Sequence, residues 1–255
     1  MKTTIALRLV LVLTWLTSAP VVSTLVIRGH PQQLRLYGDA RREPAIVASG
    51  DGGWIHLAPH VASLLERHGF YVVGFDTRAY LSSFTERDRT LRAEDVPQDV
   101  ASLVSMASAE SHTAPILVGV SEGAGLAVLA ATAPALKSRI RGVITLGLGD
   151  RNELAWRWQD SVIYLTKEVP NEPTFSAAEV IPRVAPTPLV LLRSRRDEYV
   201  GDEEADRLAR LAREPKRVWT IDAADHRFSN NLPEFDARLL EAVAWIREEA
   251  ARTRQ

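Results

Sequence analysis

From residue 44 onward the chain alternates two apolar patterns. Short continuous runs rich in Val, Ile and Leu occupy 44–49, 70–76, 115–121, 142–148, 188–193 and 217–221. Unbroken apolar runs of that length predict strands covered on both faces, as in a parallel sheet. Between them the spacing becomes helical at 56–67, 94–106, 123–131, 202–212 and 233–249. In the last of these, Phe235, Leu239, Leu240, Val243 and Ile246 fall on one helix face. Ahead of the series, 24–28 and 33–37 flank Gly29-His30-Pro31-Gln32 and read as a hairpin. The order predicts an α/β fold: an eight-stranded sheet that begins antiparallel, becomes mostly parallel, and carries helices on both faces. Repeats, low-complexity segments and a dividing linker are not evident, so 24–255 reads as one domain.

Two stretches depart from this rhythm. Residues 1–23 have Lys2 and Arg8 as their only charges, an apolar run Leu9-Val10-Leu11-Val12-Leu13, and small residues toward Ser23. That is the pattern of a secretory signal peptide, with an apolar stretch too short for the roughly 20 residues a membrane-spanning helix needs. Cleavage is expected after Ser23 rather than Ala19, because Pro20 would otherwise become the first mature residue. The other reading of this stretch is a buried first strand or an uncleaved anchor. The second departure, 150–184, holds Trp156, Trp158, Tyr164 and Phe175 among Pro170, Pro173 and Pro182. It is long for a simple connection and predicts a small cap over a pocket, or else edge helices packed on the sheet.

Composition narrows the function classes. With 31 basic and 32 acidic residues the formal charge is −1, which offers no general attraction for nucleic acid. Loss of Lys2 and Arg8 with the leader would take that charge from −1 to −3. The chain has no cysteine, which excludes a disulfide framework, a thiolate metal site and a cysteine nucleophile.

The strongest chemical motif is Gly119-Val120-Ser121-Glu122-Gly123, lying between the strand at 115–121 and the helix at 123–131. A G-x-S-x-G sequence at a strand-to-helix turn is a nucleophile elbow. Side chains at 119 or 123 would strike the adjoining elements, and the strained serine lifts its hydroxyl clear of the backbone. An elbow requires a base and an acid to orient it, each after a later strand end. Asp197 follows the strand at 188–193, and His226 follows the strand at 217–221. Of the six histidines, His226 alone stands after the last strand. Glu198, Asp222 and Asp225 compete for the role of the acid, but a residue adjacent to the histidine usually points away from its ring. The oxyanion of a tetrahedral intermediate needs two N–H donors. Glu122 supplies one, and Asp51 or Gly52, in Ser49-Gly50-Asp51-Gly52-Gly53-Trp54, supplies the other.

Elbow, acid and histidine on this strand order resemble the α/β-hydrolase fold over nearly the whole mature chain. Within that fold, Ser49-Gly50-Asp51-Gly52-Gly53-Trp54 and Val73-Gly74-Phe75-Asp76-Thr77-Arg78-Ala79-Tyr80 resemble the VirJ-type bacterial virulence proteins. The resemblance implies a serine hydrolase acting in the periplasm or outside the cell. It points to a small-molecule or lipid-derived ester, such as a phospholipid head-group ester or an aminoacyl ester. Glu122 replaces the aromatic that the family usually carries after the nucleophile, and no aspartate follows Gly125. Trp54, Asp76, Trp156 and Trp158 are the candidates for lining the substrate pocket, with Glu122 as a further pocket carboxylate.

Other motifs carry less. His56 and His60 sit four apart on one helix, but no third ligand accompanies them, so neither metal nor cofactor is expected. The glycines of 119–125 lack the lysine and spacing of a phosphate loop. The competing function is a non-catalytic binding or assembly factor on the same fold.

Overall fold

The computed structural model describes residues 19–87, 89–158 and 172–252. Most of the expected leader, Tyr164 and Pro170 lie outside them. Eight strands form the central sheet: β1 (Val21–Ile27), β2 (His30–Tyr37), β3 (Glu43–Ala48), β4 (Phe70–Phe75), β5 (Ile116–Val120), β6 (Gly142–Leu146), β9 (Leu189–Ser194) and β10 (Lys216–Ile221). Their spatial order is β1-β2-β4-β3-β5-β6-β9-β10. Both pairings of β2 are antiparallel and every other pairing is parallel, as the sequence pattern predicts.

The unbroken apolar runs have a visible cause. On β3, Ile46 and Ala48 enter one core while Ala45 and Val47 enter the other. On β4, Tyr71, Val73 and Phe75 alternate in the same way with Phe70 and Val72. One core lies under α1 (Leu57–Arg67) and α8 (Leu232–Arg252). The opposite core lies under α3 (Val96–Ala107), α4 (Glu122–Ala131), α5 (Pro134–Lys137), α6 (Ala177–Val180) and α7 (Asp202–Leu211). A strand covered on both sides has no polar face, so hydrophobic alternation disappears.

Three features differ from expectation. The first strand begins at Val21, not at 24, and Val21, Val22 and Ser23 pair with Leu36, Arg35 and Leu34. The expected cleavage point after Ser23 therefore falls inside β1. A short helix, α2 (Thr77–Ser83), follows β4, with Asp76 capping it by accepting the Ala79 N–H. The insertion at 150–184 opens as a two-stranded antiparallel ribbon of β7 (Arg151–Glu153) and β8 (Thr174–Ser176), followed by α6 and a 3-10 turn, Ile181–Arg183. Three-residue strands are too short to show a period in sequence. The ribbon is seated on α4: a Cβ at Gly125 would lie 2.0 Å from Asn152 Oδ1. No described helix is long and apolar enough to cross a membrane.

Candidate active site

Strand β5 ends at Val120 and α4 begins at Glu122, leaving Ser121 alone to make the turn. Its dihedrals are φ 50° and ψ −117°, a region that costs a non-glycine residue about 1–3 kcal/mol. The surroundings hold it there. The Ser121 N–H donates to Leu146 O at 2.9 Å, and Ser121 O accepts from Ala124 N–H at 2.8 Å. The flanking glycines admit the approach. A Cβ at Gly119 would lie 2.2 Å from Gly123 O, and one at Gly123 would lie 2.4 Å from Ser49 O. Strain in the serine and bareness in its neighbours are thus two sides of one tight crossing.

Asp197 and His226 come from the loops after β9 and β10, adjacent strands that run parallel. His226 Nδ1 and Asp197 Oδ2 are 2.7 Å apart. The other carboxylate oxygen accepts the N–H groups of Tyr199 and Val200, each at 2.9 Å. Burial by itself would raise the Asp197 carboxyl. The hydrogen bond and charge of His226, with the two backbone donors, outweigh it and hold the group below its ordinary value. An ionised Asp197 accepts from Nδ1–H, which assigns the proton to that nitrogen and leaves Nε2 as the acceptor.

The three competing acids are engaged elsewhere. Glu198 accepts the His226 backbone N–H at 2.8 Å and so anchors the histidine's main chain. Asp225 turns back on Arg227 and Ser229, and Asp222 lies beside Arg195 and Arg196.

His226 Nε2 is buried and has no hydrogen-bond partner among the described residues, Ser121 Oγ included. The Leu146–Gly147 turn meets both residues, Ser121 through its backbone and His226 through its ring. Leu146 accepts the Ser121 N–H, and a Cβ at Gly147 (φ 66°) would fall 2.5 Å from His226 Cε1. Gly147 was not singled out from the sequence, although a glycine directly past a strand beside the elbow strand was its signal. Tyr199 meets the His226 ring edge-on, with centroids 5.4 Å apart.

On the opposite side of Ser121 lies the glycine loop. A Cβ at Gly50 would be 3.2 Å from Ser121 Cβ, so the loop backbone passes close to Ser121. Gly53 N–H closes a turn onto Gly50 O at 3.0 Å, with Asp51 and Gly52 at its tip. Asp76 holds the loop from outside by accepting the Trp54 N–H at 3.2 Å while it caps α2. Trp54 lies flat enough on β4 that a Cβ at Gly74 would be 2.4 Å from its ring, and its Nε1–H donates to Tyr37 Oη. Trp54 and Asp76 therefore prop the loop. Arg78 spans the space between Gly53 and the Trp156 ring, 5.2 Å from the ring centroid. Trp156 packs partly into the core, whereas Trp158 is 71% exposed.

Glu122 has an environment no sequence pattern announces. Its Oε2 accepts the Glu153 backbone N–H at 2.8 Å. Burial, reinforced by the nearby Glu153 and Asp51 carboxylates, pushes its carboxyl well above the ordinary value, against the lowering effect of that hydrogen bond. His60, by contrast, is occupied by Asp236 at 2.6 Å. Among the described residues no His, Asp or Glu cluster is arranged to hold a metal.

Comparison with known proteins identifies the fold and the family. Three solved structures share the fold at low sequence identity. An α/β hydrolase, GrgF, from Penicillium sp. sh18 superposes with a TM-score of 0.68 at 13% identity, over 91% of this chain and 99% of its own. Est1E from Butyrivibrio proteoclasticus gives 0.63 at 13%, over 89% and 100%. A membrane phospholipase A, described as a bacterial virulence factor, gives 0.61 at 12%, over 90% and 87%. No curated protein sequence matches the chain. The fold is that of the α/β hydrolases. The sequence profile of the bacterial virulence protein VirJ matches residues 43–244, and the chain belongs to that family.

Proposed function

We propose that the protein is an exported serine hydrolase that cleaves a carboxylic ester through an acyl-serine intermediate. The 2.7 Å pair of Asp197 and His226, facing the same Leu146–Gly147 turn that anchors strained Ser121, carries the reading. Ser121 Oγ attacks the ester carbonyl carbon while its proton passes to His226 Nε2. The oxyanion is received by the Glu122 N–H and by an amide of the glycine loop. That amide is Asp51's or Gly52's, in the loop whose Gly50 approaches Ser121. The intermediate collapses, the C–O bond to the leaving alcohol breaks, and the imidazolium returns the proton to it. Water repeats the cycle and releases the acid. Asp197 stabilises the imidazolium throughout and keeps Nδ1 protonated. Trp54 and Asp76 set the loop, and Trp156 and Trp158 border the substrate's approach. The Oγ–Nε2 bond is expected to form when the ester binds, since such bonds are often long or absent without substrate.

The family, together with the virulence-associated phospholipase of the same fold, favours a lipid-derived ester outside the cytoplasm. The unpartnered His226 Nε2 favours a second reading, a periplasmic binding or assembly factor whose triad is idle. Turnover of p-nitrophenyl acetate and labelling by a fluorophosphonate, both lost in Ser121→Ala, are the outcomes expected of the enzyme. Absent labelling of a folded wild-type protein would select the binding factor. Esters of graded acyl length, run beside aminoacyl and phospholipid head-group esters, identify the substrate.

A further inference from the structure

Arg78 lies beside the glycine loop with none of its donors used. It is the second residue of α2, directly past β4, whose end pairs with the end of β3 where the glycine loop begins. Its Nε is 3.2 Å from the point a Cβ on Gly53 would occupy, and its Cζ is 5.2 Å from the Trp156 ring centroid. Trp156 is itself fixed, its backbone N–H donating to Thr85 Oγ1 at 3.1 Å. The arginine is therefore held between the loop and the insertion. Its side chain is exposed and, among the described residues, makes no hydrogen bond or ion pair.

The neighbouring charges are committed elsewhere. Asp76, whose Oδ1 is 3.3 Å from the same Gly53 point, accepts the N–H groups of Trp54 and Ala79 and lies 3.8 Å from Arg35 Nη2. Arg157, on the insertion, is taken up by Glu172 and Glu86 O. Arg78 is left without an acid in contact. A guanidinium held against an aromatic face keeps its in-plane N–H fork open to a carboxylate or phosphate. The nucleophile is within a substrate's length. Gly53 pairs with Gly50, and a Cβ on Gly50 would lie 3.2 Å from Ser121 Cβ. That path puts Arg78 Nε no more than about 15 Å from Ser121 Cβ.

Building on the hydrolase reading, we propose that Arg78 is a specificity-determining residue: it receives an anionic group, carboxylate or phosphate, that the ester carries away from its scissile bond. Two guanidinium N–H groups donate to the anion's oxygens while the ester carbonyl lies at Ser121. The anion takes no part in acyl transfer, so the contact is equally strong before and in the transition state. Such a contact lowers KM and leaves kcat little changed.

The test uses matched pairs of esters. Mono-p-nitrophenyl esters of adipic, suberic and sebacic acids are set against p-nitrophenyl hexanoate, octanoate and decanoate. 1-Acetylglycerol 3-phosphate is set against 1-acetylglycerol. The first pairs carry a carboxylate on the acyl side and the last a phosphate on the alcohol side, which identifies the source of the anion. Each protein is read as the ratio of kcat/KM for the anionic ester to that for its neutral match, so a general loss of activity cancels. Arg78→Gln lowers the ratio about tenfold for at least one pair, through KM, and Arg78→Lys keeps part of it. Equilibrium binding of the same pairs to Ser121→Ala gives a readout independent of turnover: the anionic member binds more tightly, and adding Arg78→Gln removes the preference. The proposal is overturned if Arg78→Gln leaves every ratio unchanged, or if binding shows no preference that depends on Arg78. Turnover absent from wild type, or retained in Ser121→Ala, rejects the hydrolase, and the binding preference then decides the role of Arg78 by itself.

Discussion

Two carboxyls lie on either side of Ser121, and their environments push them in opposite directions. Asp197, on the side of β9 and β10, gathers one imidazole and two backbone N–H donors and stays ionised. Glu122, on the side of α4 and the ribbon, has one backbone donor and two carboxylate neighbours, and its carboxyl is pushed well above the ordinary value. Both groups are desolvated, so burial alone does not decide the charge of a buried acid. The number of donors and the sign of its neighbours do.

The largest break in this contrast comes from the charged side. Asp197→Asn removes the acceptor that holds Nδ1–H, and kcat should fall by about 10³–10⁴-fold with the fold intact by circular dichroism. Gly147→Ala attacks the same side sterically. A methyl 2.5 Å from His226 Cε1, at a φ of 66°, must displace the ring. A loss in kcat/KM of roughly 10²-fold follows from misplacing a catalytic group by about an ångström.

A carboxylate remote from the chemistry supplies the control. Asp99 is 2% exposed and accepts Arg28 Nε and Nη2 at 2.8 and 2.7 Å and the Tyr80 hydroxyl at 2.6 Å. It ties the β1–β2 turn to α3 and resembles Asp197 in donor count. Asp99→Asn should cost about 2 kcal/mol in urea unfolding and leave the rate constants unchanged.

The smallest effect is a pair of opposed pH slopes in thermal stability. Asp197 has a lowered value, so its contribution is present above the ordinary carboxylate value of 3.8 and is lost as pH falls through the lowered one. The melting temperatures of wild type and Asp197→Asn should converge in acid. Glu122 has a raised value, so its contribution is present in acid and is lost as pH rises through that value. Glu122→Gln should therefore gain on wild type in alkali. Each difference is on the order of 1 kcal/mol.

Much of the candidate site was legible in the sequence, though the contrast between its two carboxyls was not. The elbow announced itself because two close backbone approaches leave no room for Cβ atoms at 119 and 123, a constraint that sequence records directly. Asp197 was separable from Asp225 by simple stereochemistry, and the structure pairs Asp197 with the ring. Gly147 and Glu153 were not singled out, because each acts through a residue far away in the chain. Trp54 and Asp76 were read as pocket lining, and their observed contacts are with Gly74 and the glycine loop. An aromatic beside a glycine loop carries no mark of which way its ring turns.

The sequence by itself determined the fold class, the order of the strands in the chain, and the residue types available for acyl transfer. Those properties rest on local rules: apolar runs for two-sided strands, helical spacing for one-sided helices, glycines at tight turns. Only the tertiary structure decided which acid meets His226, that β1 begins at Val21 within the expected leader, and that the ribbon rests on α4. It also decided that two carboxyls close to one serine are shifted in opposite directions. Charge state depends on desolvation and on neighbours brought together across 31 residues of chain, as with Glu122 and Glu153, and no local pattern encodes that meeting.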